Sequence, residues 1–152
     1  MKLRKAIDAA LAASLILIMA VMVVNVLWQV FSRYVLGSPS SFTDELARYL
    51  MIWLGVLGAA YVSGRNGHVA IDVLQARCGP PLRRRLQQVV RGIILAFAFF
   101  GLVVGGSRLV YVTLVLEQNS PALRLPLAYV YLAIPISGIL IIYYKASDLL
   151  TR

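Results

Sequence analysis

The amino-acid sequence predicts an all-α membrane protein with four transmembrane helices and both chain termini on the cytoplasmic side. Three observations support this prediction: the apolar composition, four long apolar runs and the distribution of the basic residues. The 152 residues are 61% hydrophobic and 14% charged, with a mean hydropathy of +0.82. Because soluble domains carry about 25% charged residues, this much apolar surface requires a solvent other than water.

Four runs are long enough to cross a bilayer, which takes about 20 mostly apolar residues in a helix. Hydrocarbon offers no hydrogen bonds, so every backbone N–H and C=O must be paired within a helix or a closed barrel. The runs are apolar all round and lack the alternation of barrel strands, which favours helices. We expect a single integral membrane domain, 1–152, with spans at about 9–31, 46–63, 86–116 and 125–144.

The first run holds no charged residue and follows the basic start Lys2–Lys5. A cleaved signal peptide has a shorter apolar region and a cleavage site of small residues. Here the apolar region continues to Phe31 and leads into Ser32, Arg33 and Tyr34. We therefore interpret the first run as an uncleaved membrane anchor.

The second run follows a stretch of turn-forming residues at 37–41. Ser41 and Asp44 have the spacing of a capping box, in which side chains satisfy the free N–H groups of a starting helix. Asp44 and Arg48 lie four residues apart, so we expect them to pair on this helix. These residues cap a helix, and they also offer a charged surface to a partner protein.

The segment 68–74 combines His68 and Asp72, spaced four residues apart, with an apolar side. This pattern predicts a short amphipathic helix in the membrane interface, in which His68 and Asp72 act as a brace. One histidine and one carboxylate are too few for a zinc site. The single cysteine, Cys78, excludes an internal disulfide.

The third run contains Ala98, Gly101, Gly105, Arg108 and Val112 at spacings of three and four, which predicts one shared helix face. The two glycines form a GxxxG pattern that allows close approach between helices. An arginine at the bilayer centre costs about 2.5–3.5 kcal/mol on insertion scales. Arg108 therefore either extends toward the membrane edge or belongs to a face that meets protein. We expect a helix-packing or subunit interface at Gly101, Gly105 and Arg108.

The fourth run contains two prolines with different consequences. Pro126 falls in the first turn, where its missing N–H costs nothing, whereas Pro135 lies in the interior. We expect a kink at Pro135, with neighbouring helices satisfying the freed carbonyl.

The orientation follows from the basic residues. Of the 15 Lys and Arg residues, all but four lie near the termini or around the loop between spans two and three. Because cytoplasmic loops are enriched in Lys and Arg, this places the termini and that loop in the cytoplasm. The four residues on the opposite side are Arg33, Arg48, Arg108 and Arg124.

Several function classes are disfavoured. The net charge of +9 comes without a basic face interleaved with aromatics, so nucleic-acid binding is not expected. No catalytic motif is present, and spans one, two and four lack the acidic or basic residues that ion-coupled carriers place near the membrane midplane. A small drug exporter would need an acidic residue in span one. We expect no enzyme activity, no metal and no cofactor.

A series of motifs runs through nearly the whole chain. In chain order the motifs are Phe31–Val35, Asp44–Tyr49 with Trp53, Gly58–Ala60, His68–Asp72, Ser120–Pro126 and Tyr131–Ile136. This ordered series resembles the small membrane (DctQ-type) subunit of tripartite ATP-independent periplasmic (TRAP) transporters.

The resemblance implies a non-catalytic subunit of the bacterial inner membrane, in contact with phospholipids. In this family a large multi-span subunit carries the sodium-coupled substrate site and moves as an elevator. A periplasmic substrate-binding protein delivers an organic acid, typically a dicarboxylate or an acidic sugar. The small subunit is expected to scaffold the large one and to help dock the binding protein. The alternative is an accessory subunit of another multi-subunit membrane complex.

Carried onto this chain, the resemblance implies a periplasmic docking surface built from charged residues. The expected docking residues are Arg33, Asp44, Glu45, Arg48 and Arg124.

Overall fold

A computed structural model describes residues 2–38, 40–65 and 80–150 of the chain. These residues form helices and connecting loops, with no strand among them. The helices are α1 (Lys2–Tyr34), α2 (Ser41–Gly64), α3 (Pro80–Ala96), a π-helical segment (Phe97–Gly105), α4 (Gly106–Val115), α5 (Leu127–Tyr131) and α6 (Ala133–Leu150).

Four helical segments of the described chain are long and apolar enough to cross a membrane, which confirms the predicted fold class with four transmembrane helices. The segments are Arg4–Tyr34, Ser41–Gly64, Gln88–Val115 and Leu127–Ser147. The third combines α3, the π-helical segment and α4, and the fourth combines α5 and α6. The predicted amphipathic helix at 68–74, with His68 and Asp72, lies outside the described residues.

The four spans form an open layer one helix thick. Along this layer α1 contacts α2, α2 contacts α6, and α6 contacts the π-helical segment of the third span. In the most apolar stretch of each span, 44% of the residues are buried in the fourth span. The corresponding shares are 11% in the first, 17% in the second and 11% in the third. The fourth span is therefore interior to the layer, whereas none of the described residues covers either broad face of the layer.

A narrow stripe of α1 packs against the layer. Leu11, Asn25 and Ser32 are buried, Ile18 is half-buried, and these residues recur every seven positions. A seven-residue repeat is typical of two helices that cross at a small angle. The remaining apolar side chains of α1 are largely exposed, so α1 lies at the edge of the layer.

We call the end of the layer that holds residues 4–8, 61–65 and 144–147 the terminal end. There the Tyr144 hydroxyl donates a hydrogen bond to Oδ1 of Asp8 at 2.5 Å, joining the fourth span to the first. The Tyr144 ring also packs on Gly64, where a Cβ atom would lie 2.9 Å from the ring. Only glycine at this position lets the ring lie so close to the α2 backbone.

Two cationic side chains cover the last carbonyls of α2, which have no partner within the helix. Nη2 of Arg4 donates to the carbonyl oxygen of Gly64 at 2.7 Å. Nζ of Lys145, which is buried, donates to the carbonyl oxygen of Ser63 at 3.1 Å. Positive charge is favourable at a helix C-terminus, so these contacts tie α1 and α6 to the end of α2.

Close contact between the third and fourth spans depends on glycines that the sequence did not single out. A Cβ atom on Gly106 would lie 2.8 Å from Cγ2 of Ile134, and one on Gly138 would lie 2.8 Å from Cβ of Leu102. Both glycines are buried. They let the two helices approach more closely than any larger residue would allow.

The fourth span is interrupted at Leu132, three positions before Pro135. Pro135 has no N–H to donate to the preceding turn, which accounts for an interruption in place of a continuous helix. Pro126 precedes α5 as its N-cap residue. The backbone of Leu132 stays in the α region, with φ −57° and ψ −26°, so the expected kink at Pro135 stays a prediction.

The predicted capping box at Ser41 and Asp44 is wrong. Helix α2 begins at Ser41, so the N-cap residue is Ser40, whose side chain makes no capping hydrogen bond. The Thr43 hydroxyl instead donates to the carbonyl oxygen of Ser40 at 2.8 Å. The Asp44 carboxylate is engaged by other side chains.

Candidate docking surface

We call the end opposite to the terminal end the loop end; it contains residues 32–38, 40–45 and 116–127. Its main feature is the loop 116–126, which is closed by backbone hydrogen bonds. The amide of Ser120 donates to the carbonyl of Leu125 and that of Leu127 to the carbonyl of Gln118, each at 2.9 Å. Glu117 and Arg124 adopt left-handed φ angles of 47° and 50°. The loop therefore has a defined conformation.

Glu45 holds this loop against the start of α2. Its Oε2 atom accepts a hydrogen bond from the hydroxyl of Ser120, which is buried. The same atom accepts from the backbone amides of Ala122 and Leu123, each at 3.1 Å. Hydrogen bonds that involve a charged group are stronger than neutral ones. The Glu45 carboxylate thus accepts hydrogen bonds from two backbone amides at a tight bend of the loop.

Asp44, the neighbouring carboxylate, joins α1 to α2 at the surface. Nη2 of Arg48 lies 3.4 Å from Oδ2 of Asp44, which confirms the predicted i, i+4 pair. Nε2 of Gln29 donates to Oδ1 of Asp44 at 3.3 Å. The side chains of Arg48 and Asp44 are 69% and 60% exposed. An exposed pair adds little stability, so its charges are available to a partner.

A polar cleft of about 490 Å³ lies between the ends of α1 and α2. It brings together four of the five predicted docking residues, and the fifth, Arg124, is exposed on the loop that Glu45 holds. The lining residues are Gln29, Arg33, Ser40, Ser41, Asp44, Glu45 and Arg48.

Two polar residues that matter here were not predicted as site residues. Nδ2 of Asn25, which is buried, donates to the backbone carbonyl of Thr43 at 2.8 Å and so fixes α1 against the first turn of α2. The other is Ser120, which bridges Glu45 and the loop. Asn25 could have been found from the sequence, because it is a lone amide side chain in an apolar helix. An amide without a hydrogen-bond partner is costly in hydrocarbon, so a partner is expected.

The third span departs from the predicted arrangement. Ala98 is buried against the fourth span, whereas Gly101, Gly105 and Arg108 are exposed. The prediction that Ala98 shares their face is wrong, because residues 97–105 are π-helical and a π-helix turns more slowly per residue than an α-helix. An added Cβ at Gly101 would meet only Phe97 of its own helix.

Among the described residues, no group of three or more His, Cys, Asp or Glu side chains is placed to hold a metal ion. The geometry at the loop end is that of a charged surface with a shallow cleft. Such a surface suits contact with another protein.

Comparison with known proteins shows the family of the chain. The family model for "Tripartite ATP-independent periplasmic transporters, DctQ component" matches residues 22–152. A TRAP transporter small permease protein of Haemophilus influenzae is 33% identical over 146 residues, which cover 96% of this chain and 86% of the relative.

Two further relatives carry substrate names. The C4-dicarboxylate TRAP transporter small permease protein DctQ of Rhodobacter capsulatus is 34% identical, over 67% of this chain and 44% of the relative. The sialic acid TRAP transporter small permease protein SiaQ of Vibrio cholerae is 28% identical, over 67% of this chain and 58% of the relative. These proteins are transporter components and not enzymes. The chain belongs to the DctQ family, the small permease subunits of TRAP transporters.

Proposed function

We propose that this chain is the fixed, non-catalytic subunit of a TRAP permease in the bacterial inner membrane. It packs beside a large, sodium-coupled membrane subunit and helps to dock a periplasmic substrate-binding protein. The open layer of four spans is the observation that carries the proposal. A layer one helix thick leaves most of its apolar area for lipid or for another subunit, which suits a scaffold.

The loop end is the proposed periplasmic side. This orientation rests on the excess of Lys and Arg near the termini and in the loop between spans two and three. It places the polar cleft where a soluble binding protein can reach it. Arg33, Arg48 and Arg124 supply exposed positive charge, and Asp44 supplies negative charge, so the surface complements a partner of mixed charge. Glu45 contributes by setting the shape of the loop that carries Arg124.

The exposed face at Gly101, Gly105 and Arg108 is the proposed contact with the large subunit. Within the described residues the Arg108 side chain has no hydrogen-bond or ion-pair partner, although it lies in the third span. Charged residues in membrane spans usually face protein or a polar cavity. We expect a carboxylate or a carbonyl of the large subunit to meet Arg108. The His68–Asp72 brace remains a prediction on the sequence alone.

The proposed cargo is an organic acid. Relatives named for C4-dicarboxylates and for sialic acid support this class, since both substrates carry carboxylates. The choice among acids is expected to belong to the binding protein and the large subunit.

The test combines uptake with assembly, using the chain co-expressed with a large TRAP subunit and a substrate-binding protein from the same source. Reversing the charge at the cleft, in Arg33→Glu and separately in Glu45→Lys, should lower uptake several-fold through docking or assembly while membrane insertion persists. The matched control is Glu117→Lys, which reverses an exposed charge at the same end, outside the cleft. Normal uptake in both variants, with the complex still isolable, would remove these residues from the docking surface.

A further inference from the structure

A groove runs between α1 and α2 on the terminal half of the layer. It has a volume of about 650 Å³, and its floor includes the small residues Ala20 and Gly58. An added Cβ on Gly58 would meet nothing within 4 Å, so the groove is open at that point. The groove is lined by Leu15, Ile16, Met19, Ala20, Leu54, Gly58, Tyr61 and Val62.

Positive charge stands at the mouth of this groove. The guanidinium carbon of Arg65 lies 4.7 Å from the centre of the Tyr61 ring, and Tyr61 lines the groove. Lys5 is exposed and lies about three helical turns before Ile16, on the same face of α1. Within the described part of the chain neither Lys5 nor Arg65 pairs with a carboxylate. The two charges are therefore available to an anion.

The length of the groove along the helix axes matches the thickness of one leaflet of a bilayer. From Leu54 to Val62 the helix rises about 12 Å at 1.5 Å per residue, and half of a hydrocarbon core of about 30 Å is about 15 Å. A transmembrane helix of a partner would need a groove about twice as long. An apolar groove of this length, with cations at its outer end, has the chemistry of a phospholipid site.

We propose that this groove binds an anionic glycerophospholipid of the cytoplasmic leaflet. The acyl chains lie along Gly58 and Ala20, and the phosphate contacts Arg65 and Lys5. Arg65, stacked on Tyr61, is already held at the mouth. The assignment to the cytoplasmic leaflet rests on the orientation given under Proposed function, whereas the lipid site itself does not require a TRAP partner.

The test measures lipid retained by the full-length chain after extraction in mild detergent, by native mass spectrometry. The chain is first equilibrated with mixed micelles of phosphatidylglycerol and phosphatidylethanolamine. We expect preferential retention of phosphatidylglycerol. Arg65→Gln and Lys5→Gln should each lower that preference by about fivefold, as expected for one positive charge at a membrane surface. Gly58→Leu should lower retention of both lipids by filling the groove.

Matched controls separate the groove from general effects. Gly55→Leu adds the same side chain to α2 at an open position outside the groove, and Arg91→Gln removes a basic charge from the third span. Both should retain lipid as the unmodified chain does. Equal phosphatidylglycerol retention in Arg65→Gln, Lys5→Gln and the controls would overturn the proposal. So would cross-links from a photoreactive residue at Gly58 to the large subunit. Uptake and assembly are measured separately, so failure here leaves the docking proposal untouched.

Discussion

Glu45 and Ser120 lie 75 residues apart in the chain, yet the Ser120 hydroxyl donates a hydrogen bond to Oε2 of Glu45. Together with two backbone amides on the same oxygen, this contact connects the start of α2 to the loop between the last two spans. The loop end is therefore one connected surface, although its residues come from two separate parts of the sequence.

Replacing Glu45 by alanine should loosen the loop 116–126. The amides of Ala122 and Leu123 lose their acceptor, so hydrogen–deuterium exchange of this loop should accelerate several-fold. Asp44→Ala is the matched control, because Asp44 receives its hydrogen bonds from side chains of α1 and α2. Equal exchange in the two variants would mean that backbone hydrogen bonds alone hold the loop.

Replacing Gly138 by leucine should force the third and fourth spans apart. Its Cβ atom would lie 2.8 Å from Cβ of Leu102 and 3.1 Å from the carbonyl oxygen of Ala98, and backbone cannot move aside cheaply. We expect a loss of about 1–3 kcal/mol, the usual range for overpacking, in an unfolding titration in detergent micelles. Gly92→Leu, at an open position, should change little. Similar losses at both positions would indicate a general effect of leucine.

Removing the Tyr144 hydroxyl should weaken the terminal end. In Tyr144→Phe the Asp8 carboxylate loses a donor at 2.5 Å, and hydrogen bonds to charged groups contribute about 1.5–3 kcal/mol. The stability in micelles should fall by about that amount. Tyr143→Phe makes the same change on the adjacent residue, for which no such hydroxyl bond is found in the described chain. A larger loss from Tyr143→Phe would contradict the assignment.

Replacing Asn25 by leucine should destabilise the pairing of α1 with α2. The variant loses the bond to the Thr43 carbonyl, and polar contacts between membrane helices are worth about 0.6–1.7 kcal/mol. Gln29→Leu, which removes the exposed and longer bond to Asp44, should cost less. Cysteine cross-linking between α1 and α2 would report the change directly. Unchanged cross-linking in Asn25→Leu would show that apolar packing suffices.

The four spans and the Asp44–Arg48 pair were predictable, because length, hydropathy and helical spacing depend on neighbouring residues only. The family was predictable from ordered motifs. The glycine contacts were not, because GxxxG spacing at Gly101 and Gly105 carries no information about the opposing surface. The close contacts instead use Gly106 and Gly138, whose partners come from another span.

At the loop end, too, contacts between residues close in sequence were easier to predict than contacts between separate elements. Local spacing suggested a capping box at Ser41, but the carboxylates of Asp44 and Glu45 are engaged by residues of other elements. The π-helical segment was also hidden from the sequence, since the expected face was calculated with α-helical spacing. The partners of the two carboxylates depend on long-range contacts, and the face of the third span depends on a change of helix type.

The single-layer arrangement has a consequence for how signals cross this subunit. Since the same helix backbones form both faces of the layer, a lipid bound in the proposed groove between α1 and α2 would restrict the tilt of these helices on both faces. Glu45 lies near the start of α2, and the groove residues Tyr61 and Val62 lie in its last turn. If both proposals hold, a lipid in the groove and a protein docked at the loop end would act on the same helix, α2, from opposite ends.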